Sequence, residues 1–197
     1  MYKCFLTCAR GLEESLSCEL DTFVECTTIH NGGVEFKTNK SGLYMISINS
    51  RLGMHLLVEL FSFRVDDTEQ LYSEVYNFSW HQIINVNQTF MIKIKGKSNY
   101  FGNPNYTTLK IKDAIVDQIK KNCFSRPYID KKNPDIIITI FISDNDVKVY
   151  IDSSGNSLHK RGYRGKIHKG ALNESLAAGL IMLSSWNSKD NFYDLMC

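Results

Sequence analysis

The sequence predicts an α/β (α+β) fold in which short strands and helices alternate along the chain. Apolar runs of strand length recur, and between them leucines and isoleucines are spaced by three or four residues, as on one face of a helix. Clusters of glycine, asparagine and proline separate these runs. Of the 197 residues, 43% are hydrophobic and 22% are charged, a composition that excludes a disordered chain and provides for a sizeable core.

The first 63 residues predict six elements in the order βαββαβ. A strand pattern, YKCFLTCA, precedes the helical pattern GLEESLSCELDTF, and FVECTTI and GVEFKT then flank the glycines of a hairpin turn. SGLYMISINSRLG predicts a second helix, and MHLLVELFSF predicts a last strand. This is the order of the ferredoxin-like split βαβ arrangement. We therefore assign residues 1–63 to a ferredoxin-like N-terminal domain.

Residues 64–156 predict a second α/β domain. DDTEQLYSEVYNF predicts a helix capped by Asp67 or Thr68, and TTLKIKDAIVDQIKKNCF predicts another. TFMIKIKGK alternates, which predicts a strand with an outer row of lysines that includes Lys93 and Lys95. SNYFGNPNYT predicts a loop. The continuously apolar PDIIITIFIS predicts a strand covered on both faces, with DVKVYIDSS beside it.

Residues 157–197 predict a linker followed by a C-terminal helix. In ALNESLAAGLIMLSSW, one stripe of the helix carries Leu172, Leu176, Leu180 and Leu183. No other part of the chain is an obvious cover for this stripe. Large aromatic side chains usually serve burial, so Trp80 and Trp186 are expected to anchor the core.

Charge is distributed unevenly along the chain. Residues 91–170 contain 16 Lys and Arg against 7 Asp and Glu, which leaves 7 and 14 for all other positions. The stretch SLHKRGYRGKIHKG, residues 157–170, holds five of these cations and no carboxylate. This asymmetry indicates an anionic partner for the middle of the chain.

Several kinds of site are not expected from the motifs. The six cysteines form no C-x-x-C pair, and the five histidines show no H-x-x-x-H or H-E-x-x-H spacing, so we expect no metal site. No serine lies in a G-x-S-x-G context, and we assign no catalytic residue. Neither a signal peptide nor an apolar run long enough to span a membrane is visible, so we expect a cytoplasmic protein without a membrane partner.

A set of segments in fixed order carries a family resemblance. ARGLEESLSCEL, NGGVEF, SRL, LKIKDAIVDQI, SRPYIDKKNPDI, LHKRGYR, LNESLAAGLIMLSSW and the final YDLMC resemble the N-terminal part of bacterial large-subunit rRNA methyltransferases of the K/L family. Those enzymes methylate N2 of a guanine in 23S rRNA. The resemblance covers essentially all 197 residues. Each segment alone is weak evidence, but the ordered set is specific.

The resemblance implies a domain organisation and a division of labour. It implies that residues 64–156 are a THUMP RNA-binding domain, whose boundary in the family lies near residue 44, and that residues 157–197 lead into a Rossmann-like methyltransferase domain that uses S-adenosylmethionine (SAM). The partners it implies are RNA, namely 23S rRNA, and the chain's own missing methyltransferase domain. The parent polypeptide is then an rRNA-processing transferase.

The same resemblance implies that the chain alone is inactive. Asp194 begins what looks like an Asp-Pro-Met-Cys-Gly-Ser-Gly cofactor loop, but Leu195 stands where the family has proline, and the glycines are absent. The Asn/Asp-Pro-Pro-aromatic motif that grips the target base is absent too. We therefore expect a fragment that neither binds a cofactor nor catalyses, with Asp194 as a partial cofactor motif only.

Candidate RNA-binding residues follow from charge, from aromatic interleaving and from the resemblance. Arginine can grip phosphate with two parallel donors, and a tyrosine between arginines can stack on an unpaired base. The candidates are Lys160, Arg161, Tyr163, Arg164, Lys166, Lys93, Lys95, Lys110, Lys112 and Arg126.

Two alternatives stay open. The chain resembles THUMP modules that serve tRNA or adenine methyltransferases as well. It could also be a protein-interaction scaffold without catalysis, in which the basic surface meets an acidic partner or the rest of its own polypeptide. For RGYR itself, the competing interpretation is a structural connector whose arginines pair with carboxylates of the THUMP domain or of the missing domain.

Overall fold

The computed structural model describes residues 1–25, 27–97, 103–162 and 170–195. They divide into two compact units, one formed by residues 1–56 with residues 156–197 and the other by residues 57–155. The α/β class and the βαββαβ order of the N-terminal region are confirmed. The domain boundaries inferred from the sequence stay a prediction.

The described residues of the first unit contain three complete strands, the start of a fourth and three helices. In chain order the elements are β1 (Tyr2–Thr7), α1 (Glu13–Leu20), β2 (Thr27–His30), β3 (Gly33–Thr38), α2 (Lys40–Asn49), the start of β4 (His55–Arg64) and, after the second unit, α5 (Glu174–Leu183). β3 pairs antiparallel with both β1 and β2. The start of β4 is tied to β1, because the backbone N–H groups of Met54 and His55 donate to the carbonyl and the hydroxyl of Thr7.

One carboxylate fixes the entry to α1. Glu13 accepts hydrogen bonds from the backbone N–H of Gly11 at 2.7 Å and of Gly32 at 2.9 Å, so it joins the start of the helix to the β2–β3 turn. The pKa of Glu13 is lowered, chiefly by the hydrogen bond from Gly32. Burial, with a smaller contribution from the Glu13 charge, raises the pKa of the nearby Cys8 thiol to about 12, which keeps it protonated.

The second unit is a five-stranded sheet covered by two helices. Its elements are the rest of β4, α3 (Thr68–Asn77), a 3₁₀ turn (Trp80–Gln82), β5 (Thr89–Lys97), α4 (Pro104–Cys123), β6 (Tyr128–Ile129), β7 (Ile136–Ser143) and β8 (Asp146–Asp152). The strand order is β4-β8-β7-β5-β6. β5 runs parallel to β6 and β7, and β8 runs antiparallel to β7 and β4.

The predicted buried strand is β7, which lies between β5 and β8 and is apolar on both faces. Asp67 caps α3, as one of the two predicted residues. Trp80 is fully buried in this core, and its indole N–H donates to the carbonyl of Val75 at 2.7 Å. The helix faces of α3 and α4 complete the same core cluster.

Two local predictions were wrong. The loop predicted over SNYFGNPNYT ends early, because Asn103 caps α4 and Pro104 occupies its first turn, where a missing N–H costs nothing. Trp186 does not anchor a core, since 38% of it is exposed and its ring meets that of Phe192 edge to face. Glycine and proline content alone did not distinguish a loop from a helix start.

Within the described residues, three of the four leucines predicted for one stripe of the C-terminal helix are exposed, although Leu172 lies before α5 begins at Glu174 and Leu176 is half-buried. Leu172, Leu180 and Leu183 are 44%, 51% and 56% exposed. The helix instead docks by its small residues, because Ser175 and Gly179 are buried and a Cβ on Gly179 would overlap the side chain of Leu12.

Candidate nucleic-acid interface

The predicted lysines of β5 lie on one face of their strand. Lys93 and Lys95 alternate with Ile92 and Ile94, which pack against the core of the second unit, so the two ammonium groups point away from that core. Lys95 is exposed as a residue, yet its Nζ lies 5.5 Å from the ring centroid of Phe141 on β7. Desolvation there, together with the charge of Lys93, lowers the pKa of Lys95. Because the charges of Lys93 and Lys95 repel each other, an anion that contacts both ammonium groups would be favoured.

The predicted lysines of α4 are engaged in ion pairs. Lys110 Nζ lies 2.6 Å from Glu69 Oε1 on α3, and this hydrogen bond raises the pKa of Lys110. Lys112 Nζ lies 2.7 Å from Asp113 Oδ1. A phosphate would have to compete with these carboxylates, so the two lysines are weaker candidates for RNA contact than Lys95.

Arg126 belongs to a loop of different character. Residues 124–135 connect α4 to β7 and include the short strand β6, and Arg126 is exposed there, as are Lys131 and Lys132. Within the described parts of the chain, none of these three side chains forms an ion pair. They are therefore available to an external anion.

Of the basic stretch 157–170, residues 163–169 lie outside the described residues. Lys160 is exposed, while Tyr163, Arg164 and Lys166 lie outside the described residues. Arg161 serves the first unit itself, since its guanidinium donates to the carbonyl oxygens of Ile48 at 2.6 Å, Ser47 at 3.1 Å and Ser50 at 2.6 Å. These carbonyls end α2, where a cation is also favoured by the helix dipole.

No cradle for a cofactor surrounds Asp194 in the described part of the chain. Its neighbours Tyr193 and Leu195 are 76% and 90% exposed, so the segment is not enclosed by other residues. Among residues 1–25, 27–97, 103–162 and 170–195 no cluster of three or more His, Cys, Asp or Glu could hold a metal ion. The same residues include no helix with the length and apolarity needed to cross a membrane.

Two aromatic side chains that the sequence did not single out lie near Arg126. Phe124 is 93% exposed and Tyr128 is 78% exposed. In the sequence, Phe124 is the last residue of the helical pattern TTLKIKDAIVDQIKKNCF, and Tyr128 lies within the family segment SRPYIDKKNPDI. The one feature of the sequence that could have indicated an exposed aromatic pair is its position among five cations. Hydrophobic periodicity does not show whether an aromatic side chain is exposed to solvent.

Three family models match the chain in sequence. Residues 3–57 match the RlmL ferredoxin-like domain, residues 65–152 the THUMP domain, and residues 161–197 the RMKL-like methyltransferase domain. The three matches leave only short connecting segments uncovered.

The chain is also similar in fold to solved structures. A predicted N6-adenine-specific DNA methylase from Listeria monocytogenes is 24% identical, with a TM-score of 0.84 over 100% of this chain and 52% of its own. A possible methylase from Clostridium difficile is 27% identical, with a TM-score of 0.76 over 94% of this chain and 49% of its own. SMU.472, assigned as a methyltransferase and solved with SAH, is 25% identical, with a TM-score of 0.78 over 94% and 49%.

The chain thus spans about half the length of the structures it matches. Its own residues supply the sheet, the basic faces and the exposed α5 described above. From the three family matches, the chain carries an RlmL ferredoxin-like domain, a THUMP domain and the start of an RMKL-like methyltransferase domain, which is the N-terminal domain order of the RlmK/L family.

Proposed function

We propose that this chain is the RNA-binding part of a SAM-dependent methyltransferase that methylates N2 of a guanine in 23S rRNA. The observation that carries the proposal is the THUMP match over residues 65–152, directly followed by a methyltransferase match. Because rRNA is the substrate, the proposal also assigns the protein to the cytoplasm. The finer choice of guanine N2 and of 23S rRNA rests on the resemblance of the ordered sequence segments.

The chemistry of the second unit supports an RNA partner. Lys93 and Lys95 share a strand face, and Lys95 already carries a desolvated ammonium group whose pKa is lowered. Arg126, Lys131 and Lys132 add exposed cations on the loop after α4. Phosphate contacts of this kind fix the position of an RNA without reading its sequence, which is the task of a targeting module.

The first unit supports a partner domain of the same polypeptide. α5 lies in the stretch that matches the methyltransferase domain, and its leucine face is exposed. Contiguous exposed apolar faces on a protein surface mark interaction sites. We propose that the rest of the methyltransferase domain covers this face.

SAM enters the proposal through the family resemblance, the methyltransferase match and the relatives. SMU.472 was solved with SAH, the demethylated product of SAM. In this chain the partial cofactor motif is limited to Asp194, which lies in an exposed segment. SAM binding and the methyl transfer are therefore assigned to the full-length enzyme.

Binding of RNA can be measured directly on this chain. The binding constant of a 23S rRNA hairpin should be measured at several salt concentrations. Its logarithm should fall with a slope of about 0.7 to 0.9 units per tenfold increase in salt for each phosphate contact. Replacing Lys93 and Lys95 by Ala should weaken binding and flatten that slope, whereas Lys37→Ala with Lys40→Ala, two exposed cations of the first unit, should change neither. Tight binding that is insensitive to salt would contradict the proposal, and binding to an acidic protein but not to RNA would favour the scaffold alternative.

The finer assignment needs the full-length enzyme. We expect 23S rRNA incubated with it and SAM carrying a labelled methyl group to yield labelled N2-methylguanosine on nucleoside mass spectrometry. Label in N6-methyladenosine, or in tRNA instead of 23S rRNA, would overturn the choice of base or of RNA and leave the methyltransferase class intact.

A further inference from the structure

The loop between α4 and β7 combines features that the packing of the second unit does not require. Residues 120–133 contain five cations and one carboxylate, and they also contain Phe124 and Tyr128, the two aromatic side chains described above. An exposed aromatic residue is not unusual alone, but two within five residues of a basic loop form a distinct surface.

Phe124 is held in a costly position. It ends α4 with φ 54° and ψ 18°, in the left-handed region where the C-terminal residue of a helix is usually glycine. A bulky side chain in this conformation is strained, and here 93% of it is exposed, so burial does not offset the strain. A phenylalanine therefore costs stability at this position and gains nothing from packing within the unit.

The loop is nonetheless anchored at several points. β6 pairs with β5 through Tyr128 and Ile129, and the N–H of Asp130 donates to the carbonyl of Phe90 at 3.3 Å. The Asp135 carboxylate accepts from the N–H and the hydroxyl of Thr89 at 2.7 and 2.8 Å.

The carboxylate of Asp130, the acidic residue within 120–133, also binds the backbone. Asp130 Oδ1 accepts from the N–H of Lys132 at 2.7 Å and of Asn133 at 3.1 Å. Residues 120–133 are thus anchored to the unit, and their cations Lys120, Arg126, Lys131 and Lys132 are exposed, whereas Nζ of Lys121, also exposed, lies 5.7 Å from the ring centroid of Tyr76. Buried Pro127 lies between the two aromatic residues and holds the middle of the loop against the unit.

Phe124 and Tyr128 are close enough to act on one ligand. They are four residues apart, so their Cα atoms are at most about 14 Å apart. Lys120, Arg126, Lys131 and Lys132 surround them in sequence and form no ion pair within the described residues. Cations around exposed aromatic faces match a strand of nucleotides whose phosphates and unpaired bases are both accessible.

We propose that residues 120–133 form a binding site for single-stranded RNA, in which Phe124 and Tyr128 stack on unpaired bases and the surrounding cations bind the adjacent phosphates. This deepens the proposed function and rests on it, since it assumes an RNA substrate and names the part of that RNA that the loop receives. Base stacking on aromatic side chains tolerates any sequence, so the site selects an unpaired segment rather than a particular base.

The test compares three RNA probes on the purified chain. They are a fluorescently labelled decauridylate, an abasic decamer with the same ribose-phosphate backbone, and a 23S rRNA hairpin. Phe124→Gly should lower affinity for decauridylate roughly tenfold without changing the salt slope, and should leave the abasic probe unaffected. Tyr128→Ala should act in the same way. Replacing Arg126, Lys131 and Lys132 together by Ala should flatten the slope by up to about two units for both decamers.

Phe124→Gly also separates binding from folding. Glycine adopts the left-handed conformation freely, so this variant should unfold about 2–4 °C higher while it binds RNA more weakly. If Phe124 had only a structural role, Phe124→Gly would lower both the melting temperature and the affinity for RNA. The double variant Lys37→Ala with Lys40→Ala again serves as the charge control, because it removes two exposed cations outside the loop. It should bind RNA like the wild type.

The outcomes distinguish the two proposals. If the wild-type chain binds none of the RNA probes, the proposed function fails. If it binds the hairpin but either does not bind decauridylate or binds it equally well after Phe124→Gly and Tyr128→Ala, the loop proposal alone is overturned. Polyglutamate, an acidic polypeptide, serves as a fourth probe. If the aromatic variants lost affinity equally for decauridylate and for polyglutamate, the loop proposal would also be overturned, because the loop would then be a protein-binding surface.

Discussion

Arg161 Nη2 donates a hydrogen bond of 2.6 Å to the carbonyl oxygen of Ser50, the residue that caps the C-terminal end of α2. The same guanidinium also reaches the carbonyls of Ser47 and Ile48. Arg161 was predicted to bind phosphate because it lies in the basic stretch 157–170. Instead, it donates hydrogen bonds to carbonyl groups at the end of a helix, which lack partners within the helix. Lys160, its neighbour, is exposed and remains a candidate for RNA contact.

Arg161→Ala should destabilise the first unit. It removes hydrogen bonds from a charged donor to three carbonyls, and because the side chain is exposed we expect a loss of about 1–2 kcal/mol. Urea unfolding would measure the change, with Lys160→Ala as the control that leaves stability unaltered. Equal stability of the two variants would show that the capping contacts contribute little.

Stability should depend on the ionisation of Glu13. Its folded-state pKa lies below the ordinary value of 4.5, chiefly because the Gly32 N–H donates to the carboxylate. The group therefore stabilises the fold fully above its unfolded pKa and loses that contribution as the pH falls through the lower folded value. Glu13→Gln should reduce the melting temperature near neutral pH and flatten its decline in acid, and Glu14→Gln, an exposed neighbour, should do neither.

Gly179 and Leu180 should respond in opposite ways to substitution. Gly179→Val places a branched side chain against Leu12, where even a Cβ overlaps, so α5 should detach and exchange its amide hydrogens faster over residues 174–183. Leu180→Gln changes a residue that is 51% exposed and should leave exchange within twofold of the wild type. Fast exchange of α5 in both variants would mean that the leucine face is already covered in the isolated chain.

Gly96 should not tolerate alanine. It has φ 97° within β5, and a Cβ there would overlap the carbonyl oxygen of Ile142 on β7. Both the backbone conformation and the strand contact oppose a side chain, so Gly96→Ala should cost about 2 kcal/mol or more. Chemical denaturation followed by tryptophan fluorescence would report it through Trp80, and Gly155→Ala, with open space around its Cβ, should cost less.

Local patterns in the amino-acid sequence were sufficient to predict the order of the elements and the burial of the strand β7. Strand and helix periods set the βαββαβ order, and the unbroken apolar run of β7 identified a strand with neighbours on both sides. The leucine stripe of α5 was equally readable, because amphipathic spacing is a local property. The family resemblance, too, depended only on ordered segments.

Tertiary structure decided which of the candidate cations are available. Lys110 and Arg161 look alike in sequence as basic residues, but Glu69 lies opposite the first and the end of α2 opposite the second. These partners are 41 and 111 residues away along the chain, so no local pattern could reveal them. The exposure of Phe124 likewise follows from the left-handed turn that ends α4, since that turn directs the side chain to solvent rather than toward the core.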